Sequence, residues 1–295
     1  MTRGRKIFIV VLVVAVLLTA AGFGLRWGAK RVAEQRVAEF FQRISNVVTA
    51  SYGEVEVDLL GFTARIHDLR LAFVSGPRFD VDQFVLRRLE DRNGFPHALD
   101  VSFQGIQVPV DEDNFGDMTN DFREMGYNDV ALDLDCAWAF DDNARAFHLT
   151  RLALSGRDMG EMGLTLDLAG VDFDKAVVRQ DPAALMGLAL SGARLWYRDE
   201  QLLDRITAQE AKQRGMEVDA LQRQLEDELD QYLSQAMLEG DEFAVKALSG
   251  FKTFLQSRDE IAITAKPNPP APLLGLQAMS PMAAMEMLGI EVVAK

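Results

Sequence analysis

Residues 130–140 read VALDLDCAWAF, and the alternation in that stretch sets the fold. Val130, Leu132, Leu134, Cys136, Trp138 and Phe140 fall on one side of an extended chain, while Ala131, Asp133, Asp135, Ala137 and Ala139 fall on the other. A period of two marks a strand with one face against a core and the other toward water. Asp141-Asp142-Asn143 supplies the turn that ends it, because short polar side chains hydrogen-bond their own backbone there.

The same period extends in both directions. Upstream, Val55, Val57 and Leu59 alternate with Glu54, Glu56 and Asp58. Ala64 and Ile66 then lead to Leu69, Leu71 and Phe73 with a slip of phase at His67-Asp68 that predicts a bulge. Ser75-Gly76-Pro77 is a turn before a strand carrying Phe79, Val81 and Val85; Leu99, Val101 and Phe103 form the next, with a second bulge at Gly105. A short helix is predicted over 113–127, closed by Gly126. Downstream, strands are predicted around 147–154, 162–168 and 188–197, with a short helix opening at Asp181-Pro182 between the last two. From Glu200 the period lengthens to that of a helix. Leu221, Leu225, Leu229, Tyr232, Leu233 and Ala236 mark one amphipathic stripe, and Ala244, Leu248, Phe251 and Leu255 a second, divided at Gly240. Residues 261–266 form a strand stopped by Pro267, Pro269, Pro270 and Pro272, and Ser280 and Pro281 open a last helix that Gly289 closes before a strand over 290–294.

Ahead of all the strands stands an uncharged run, residues 7–25 (IFIVVLVVAVLLTAAGFGL). As a helix it measures about 28 Å, close to the apolar thickness of a bilayer. Residues 1–6 are a basic n-region, and 26–48 read as an amphipathic helix with Ala33, Val37, Phe40, Phe41, Ile44 and Val48 on one face. A cleavable signal peptide is the competing reading. The length of the run, and Arg26, Trp27, Lys30 and Arg31 as an interfacial anchor beyond it, favour an uncleaved single-pass anchor with the large domain outside. The expected fold is therefore α+β: an N-terminal transmembrane helix followed by a curved antiparallel β-meander with packed helices. Residues 50–199 make up its β-rich domain, and 200–295 a helical segment with returning C-terminal strands.

Composition narrows function more by exclusion than by assignment. With 45 acidic against 31 basic residues the net charge is −14, which is the wrong sign for nucleic acid. One cysteine, Cys136, excludes an intramolecular disulfide and a cysteine zinc site. The stretch DEDNFGD (111–117) opens like a calcium loop, but Phe115 and Phe122 stand where oxygen ligands belong, so it reads as an acidic helix start. Asp133 and Asp135 are the wet face of their strand, Asp141 and Asp142 its turn, and His67, His97 and His148 have no partner at ligand spacing. No nucleophile, phosphate-loop or dinucleotide motif is present, so no catalytic residue, metal or cofactor is assigned. The remaining candidates are apolar: Trp138, Phe140, Trp196, Met282 and Met285 as a lining for an apolar ligand, the methionines being adaptable in shape.

The apolar N-terminal run, the early strand pair YGEVEVDLLGFTARIHDLRL (52–71), the repeated alternating strands and the proline-stopped strand IAITAKPNPPAPL (261–273) together resemble the layout of AsmA-like and YdgA-like bacterial envelope proteins. That resemblance implies an anchor in the inner membrane, a β-rich domain in the periplasm and, as for some members, lipid handling. The helices over 200–256 depart from the pattern of a simple open groove. Two readings remain: a membrane-anchored module that binds lipid or another apolar ligand, and a structural or assembly protein of an envelope complex with no small-molecule ligand.

Overall fold

The computed structural model describes residues 48–58, 63–73, 78–92, 95–178, 181–276 and 278–295. Twelve strands form one antiparallel sheet in which almost every strand pairs with its neighbour in sequence. They are β1 (Val48–Ser51), β2 (Val55–Asp58), β3 (Thr63–Phe73), β4 (Arg78–Arg92), β5 (Phe95–Pro109), β6 (Asp129–Asp141), β7 (Ala146–Gly156), β8 (Gly160–Ala169), β9 (Ala189–Asp199), β10 (Glu260–Ala265), β11 (Ala271–Pro272) and β12 (Ile290–Ala294). β1 and β2 lie end to end along β3, and β11 extends the line of β10 beside β9.

This corrects the α+β expectation. The described chain is a single large β-sheet with a few helices, and none of those helices is long and apolar enough to cross a membrane. The cause is hydrogen-bond continuity: β10 returns to pair with β9 from Glu260↔Arg198 to Ala265↔Ala193, so the helices between them are an excursion from the sheet. The n-region, the apolar run 7–25, the anchor residues Arg26, Trp27, Lys30 and Arg31, and nearly all of 26–48 lie outside the described residues.

A transverse crease bends the first part of the sheet. The expected bulge at His67-Asp68 is instead a change of phase without a change of register: His67↔Gln83 and Leu69↔Val81 belong to one ladder, and Asp68 turns through a left-handed φ of 53°. Gly53, beside Asp68, and Gly105, beside Asp82 on β4, continue the line across neighbouring strands. Gly105 has φ 64°, and a Cβ there would meet Asp82 Oδ2 at 2.1 Å, so only glycine fits without displacement. Its amide donates to Asp133 Oδ1 at 2.6 Å. Because the slip occurs in all these strands at the same level, Ile66, Phe84 and Phe103 below it and Leu69, Leu71 and Val81 above it face the same interior.

That interior is the main core: Val55, Ile66, Leu69, Leu71, Val81, Phe84, Leu86, Leu99, Val101 and Phe103 are all nearly fully buried, with the rings of Phe84 and Phe103 4.9 Å apart. Each such side chain contributes roughly 1.5–3 kcal/mol on burial. A second cluster, Val110, Tyr127 and Val130, sits under two short helices, α1 (Glu112–Phe115) and α2 (Thr119–Glu124). The single helix expected over 113–127 is broken there by Gly116 at φ 59°. Asp111 caps α1 by accepting the Asn114 amide at 2.9 Å.

Three helices fill the excursion: α3 (Leu202–Arg214), α4 (Val218–Glu239) and α5 (Glu242–Ser257), the first two ending at left-handed Gly215 and Gly240. Arg205 pins α3 to the second cluster, its guanidinium 4.6 Å from the Tyr127 ring centre and donating to the Met125 carbonyl at 3.1 Å. A one-turn helix α6 (Leu273–Leu276) and α7 (Pro281–Leu288) precede β12; Ser280 caps α7 by accepting the Ala283 amide at 3.3 Å, and Gly289 ends it.

Candidate functional site

Register decides which side chains share a face, and it assembles one apolar surface across the whole second part of the sheet. One row runs Cys136, Leu152, Leu164, Leu195, Ile263 and Val292 from β6 to β12. The next runs Leu134, Leu154, Met162, Tyr197, Ile261 and Ala294, and the next on the other side Trp138, Leu149, Leu166, Ala193, Ala265 and Ile290. In sequence the apolar phase slips between Leu149 and Leu152, and register shifts in the β6–β7 and β7–β8 ladders absorb the slip. A bulge adds one residue to one strand and so returns the following side chains to the same face. At about 4.8 Å per strand, the five spacings from β6 to β12 make this surface roughly 24 Å wide.

The opposite face is ionic. Arg151 donates to Asp100 at 2.8 Å, Ser102 Oγ to Asp135 at 2.7 Å, and Arg194 to Glu260 at 2.8 Å. Burial works to raise the Glu260 carboxyl, but the hydrogen bond and charge of Lys295 and the charges of Arg194 and Arg198 outweigh it and hold the group below its ordinary value. The aspartates weighed as cation ligands are used separately. Asp133 holds the Gly105 amide, Asp141 the amides of Asn143 and Ala144 at 2.9 and 3.0 Å, and Asp142 sits against Arg92 and His97. Among the described residues no group of acids, histidines and cysteine is placed to hold a metal ion.

The apolar face is closed at its ends and along one edge. At one end Phe173, 3% exposed, meets Phe140 at 4.7 Å and His97 at 4.9 Å between ring centres, and Phe140 meets Phe147 at 4.9 Å. At the other, Tyr197 packs against Phe254 of α5 at 5.9 Å and donates its hydroxyl to the Met159 carbonyl at 2.8 Å. α5 lies over the β12 edge. Gly250 and Phe254 lie on its inward side, Phe254 being 3% exposed, and a Cβ on Gly250 would stand 3.1 Å from Val292 Cγ1; Phe251, expected on the apolar stripe, is 43% exposed. Between these closures the surface stays open: Met162, Leu195 and Ile263 are 46%, 43% and 44% exposed.

Of the residues singled out from sequence, Trp138 and Phe140 stand half-buried on this face, Trp138 donating weakly to the Pro96 carbonyl at 3.5 Å. Met282 and Met285 line a cavity of about 620 Å³ between α5 and α7, with Phe243 and Ile290. Trp196 is not with them: one residue from Leu195, it points to the ionic face, its indole against Gly163 and 5.8 Å from the Arg198 guanidinium. Cys136 lies in the central row, where burial pushes its thiol up to about 11, so at neutral pH it is an uncharged apolar contact. Sequence reasoning missed Met162, Leu195 and Ile263. The alternation of their strands was visible, but only the pairing of β8, β9 and β10 shows that all three face one way.

A family model described as an uncharacterized protein matches residues 153–295, from β7 through the helical excursion to β12. A protein of Aquifex aeolicus (strain VF5), also described as an uncharacterized protein, is 22% identical over 251 residues, covering 80% of this chain and 78% of the relative. The stretch matched by the family model holds most of the open apolar face and all of the cavity.

Proposed function

We propose that this chain is a membrane-tethered, extracytoplasmic module of the bacterial cell envelope that holds lipid or another apolar ligand against the apolar face of its sheet. The observation that carries this is the exposure of Met162, Leu195 and Ile263 in the middle of an otherwise continuous apolar surface. A contiguous apolar patch left uncovered marks a site of interaction rather than a core. The uncharged run 7–25 supports the tether, and its basic neighbours support placement at a headgroup surface. The layout shared with AsmA-like and YdgA-like proteins supports a place in the inner membrane with the sheet in the periplasm.

The test is extraction of the full-length chain in a mild non-ionic detergent, extensive washing, and mass spectrometry of the small molecules that remain. Near-stoichiometric lipid, lost in a Leu195→Glu variant, supports the reading; a well-folded chain that retains nothing refutes it. A second reading, an assembly protein for other envelope proteins, is favoured by one separate feature: Tyr232, Met237 and Leu238 on α4 are 62%, 59% and 89% exposed. Crosslinking in membranes from α4 distinguishes the two.

A further inference from the structure

The main core is drier than one sheet can make it. Leu86 and Val101 head a row of cross-strand neighbours that continues through Cys136 to Leu195 and Ile263. Exposure climbs along that row, from 2% and 0% at Leu86 and Val101, through half-buried Cys136, to 43% and 44% at Leu195 and Ile263. A face of a single sheet becomes fully dry only under a second layer. Yet among the described residues every apolar side chain packed on the main core comes from β1–β6 and the β1–β2 turn. The described helices pack elsewhere: α1 and α2 on the second cluster, α3 on that cluster and on α4, and α5 on α4, β10 and β12. The second layer therefore belongs to residues outside the described ones.

Length decides which. Residues 59–62, 74–77 and 93–94 each join two adjacent strands, and four residues reach at most about 14 Å. Residues 179–180 and 277 are shorter stretches still. The uncharged run 7–25 is long enough to be taken up by the bilayer, so 26–47 remain. They lead into β1 at Val48, which pairs with Phe73 at the Leu71 end of the core. Within them Ala33, Val37, Phe40, Phe41 and Ile44 share one helical face, and Gln35, Glu39, Gln42 and Asn46 the face opposite. As a helix, 33–47 measures about 22 Å, and the core along β5 from Leu99 to Ile106 measures about 23 Å. Helix width with side chains, about 10–12 Å, matches the breadth of β3–β5 and runs out at β6, where exposure begins. We propose that residues 33–47 are the layer over the main core, a helix laid along β3–β5 with Phe40 and Phe41 inward. The chain itself then occupies the near half of the apolar face, and only the rows from β7 to β10 are free for another molecule. This goes beyond the lipid-binding reading and holds whatever those rows bind.

The experiment places a photoreactive benzoyl-phenylalanine at position 40, 41, 35 or 42, one at a time, in the full-length chain in the membranes of the producing cells. After irradiation the crosslinked residues are mapped by mass spectrometry. The expected result is crosslinking from positions 40 and 41 to inward side chains of β3–β5, among them Leu71, Val81, Phe84 and Phe103, and loss of those crosslinks from positions 35 and 42. The probe replaces one aromatic ring by another at 40 and 41 and a polar side chain on the outer face at 35 and 42, so each variant keeps the apolar stripe. Crosslinks from 40 and 41 to Met162, Leu195 or Ile263 overturn the proposal, because the segment then lies on the open rows. Crosslinks to lipid alone, or none to the core, overturn it in favour of a helix on the membrane surface. A covalent dimer overturns it in favour of an exchange between copies of the chain, and equal core crosslinking from all four positions overturns the assigned face.

Discussion

Two leucines on the same face of the same sheet should respond very differently to loss of their side chains. Leu99 is 1% exposed in the main core, whereas Leu195 is 43% exposed on the open rows. In Leu99→Ala the lost transfer energy adds to an unfilled cavity, and the expected cost is about 3 kcal/mol. In Leu195→Ala only the covered part of the side chain contributes and solvent fills the space, so the cost is about 1 kcal/mol. Urea unfolding of the full-length chain, followed by tryptophan fluorescence with Trp138 on the face concerned, measures both. Delipidated protein should show the full difference; on the proposed lipid-binding reading, adding phospholipid should raise the cost of Leu195→Ala, because bound lipid would cover that side chain. Equal costs for the two variants in delipidated protein would refute the argument that the face is open.

The crease predicts that Gly105→Ala costs about 1–3 kcal/mol, since it needs both a left-handed backbone and displacement of Asp82, and thermal melting reads that loss. Glu260 titrates below its ordinary 4.5 in the folded protein, so its contribution is present above about pH 4.5 and disappears as the pH falls through the lower folded value. Protection of the β10 and β12 amides, taken relative to the intrinsic exchange rate at each pH, should accordingly fall on acidification in the native chain and change far less with pH in Glu260→Gln. For Cys136 the sign is reversed. The folded thiol stays protonated to about pH 11 while an unfolded one ionises near 9, so stability should fall from pH 9 upward, and Cys136→Ser should remove that slope in urea midpoints measured from pH 7 to 10. The same thiol should react slowly with a thiol reagent at pH 8.

Much of the sheet was legible because alternation reports burial directly. The stretch 130–140 forms β6 with the face its pattern implies, and Gly105 and the Ser280 and Gly289 caps stand where their chemistry requires. The strands β4 and β5 run further than expected because Arg87, Arg88 and Glu90 break the apolar pattern while the backbone ladder continues past them. The role of Trp196 was not legible at all. One position of parity separates it from Leu195, and only hydrogen bonding to β8 and β10 says which of the two lies on the open apolar side. The α+β expectation failed on proportion: periodicity over 200–256 does mark helices, yet it carries no information on how large a sheet those helices leave and re-enter, and here twelve strands join in one.

Because neighbours in the sheet are mostly neighbours in sequence, a chain delivered from its N-terminus can add strands one at a time onto an existing edge up to β9. The next addition differs: β10 must wait for roughly sixty residues of helix, and closing that loop costs about 2 kcal/mol more than a tight hairpin. Until it closes, β9 is a bare edge beside an uncovered apolar surface, the arrangement most open to pairing with another chain. The C-terminal third thus acts as a latch on assembly, and truncations after β9 should yield aggregates rather than a smaller soluble sheet.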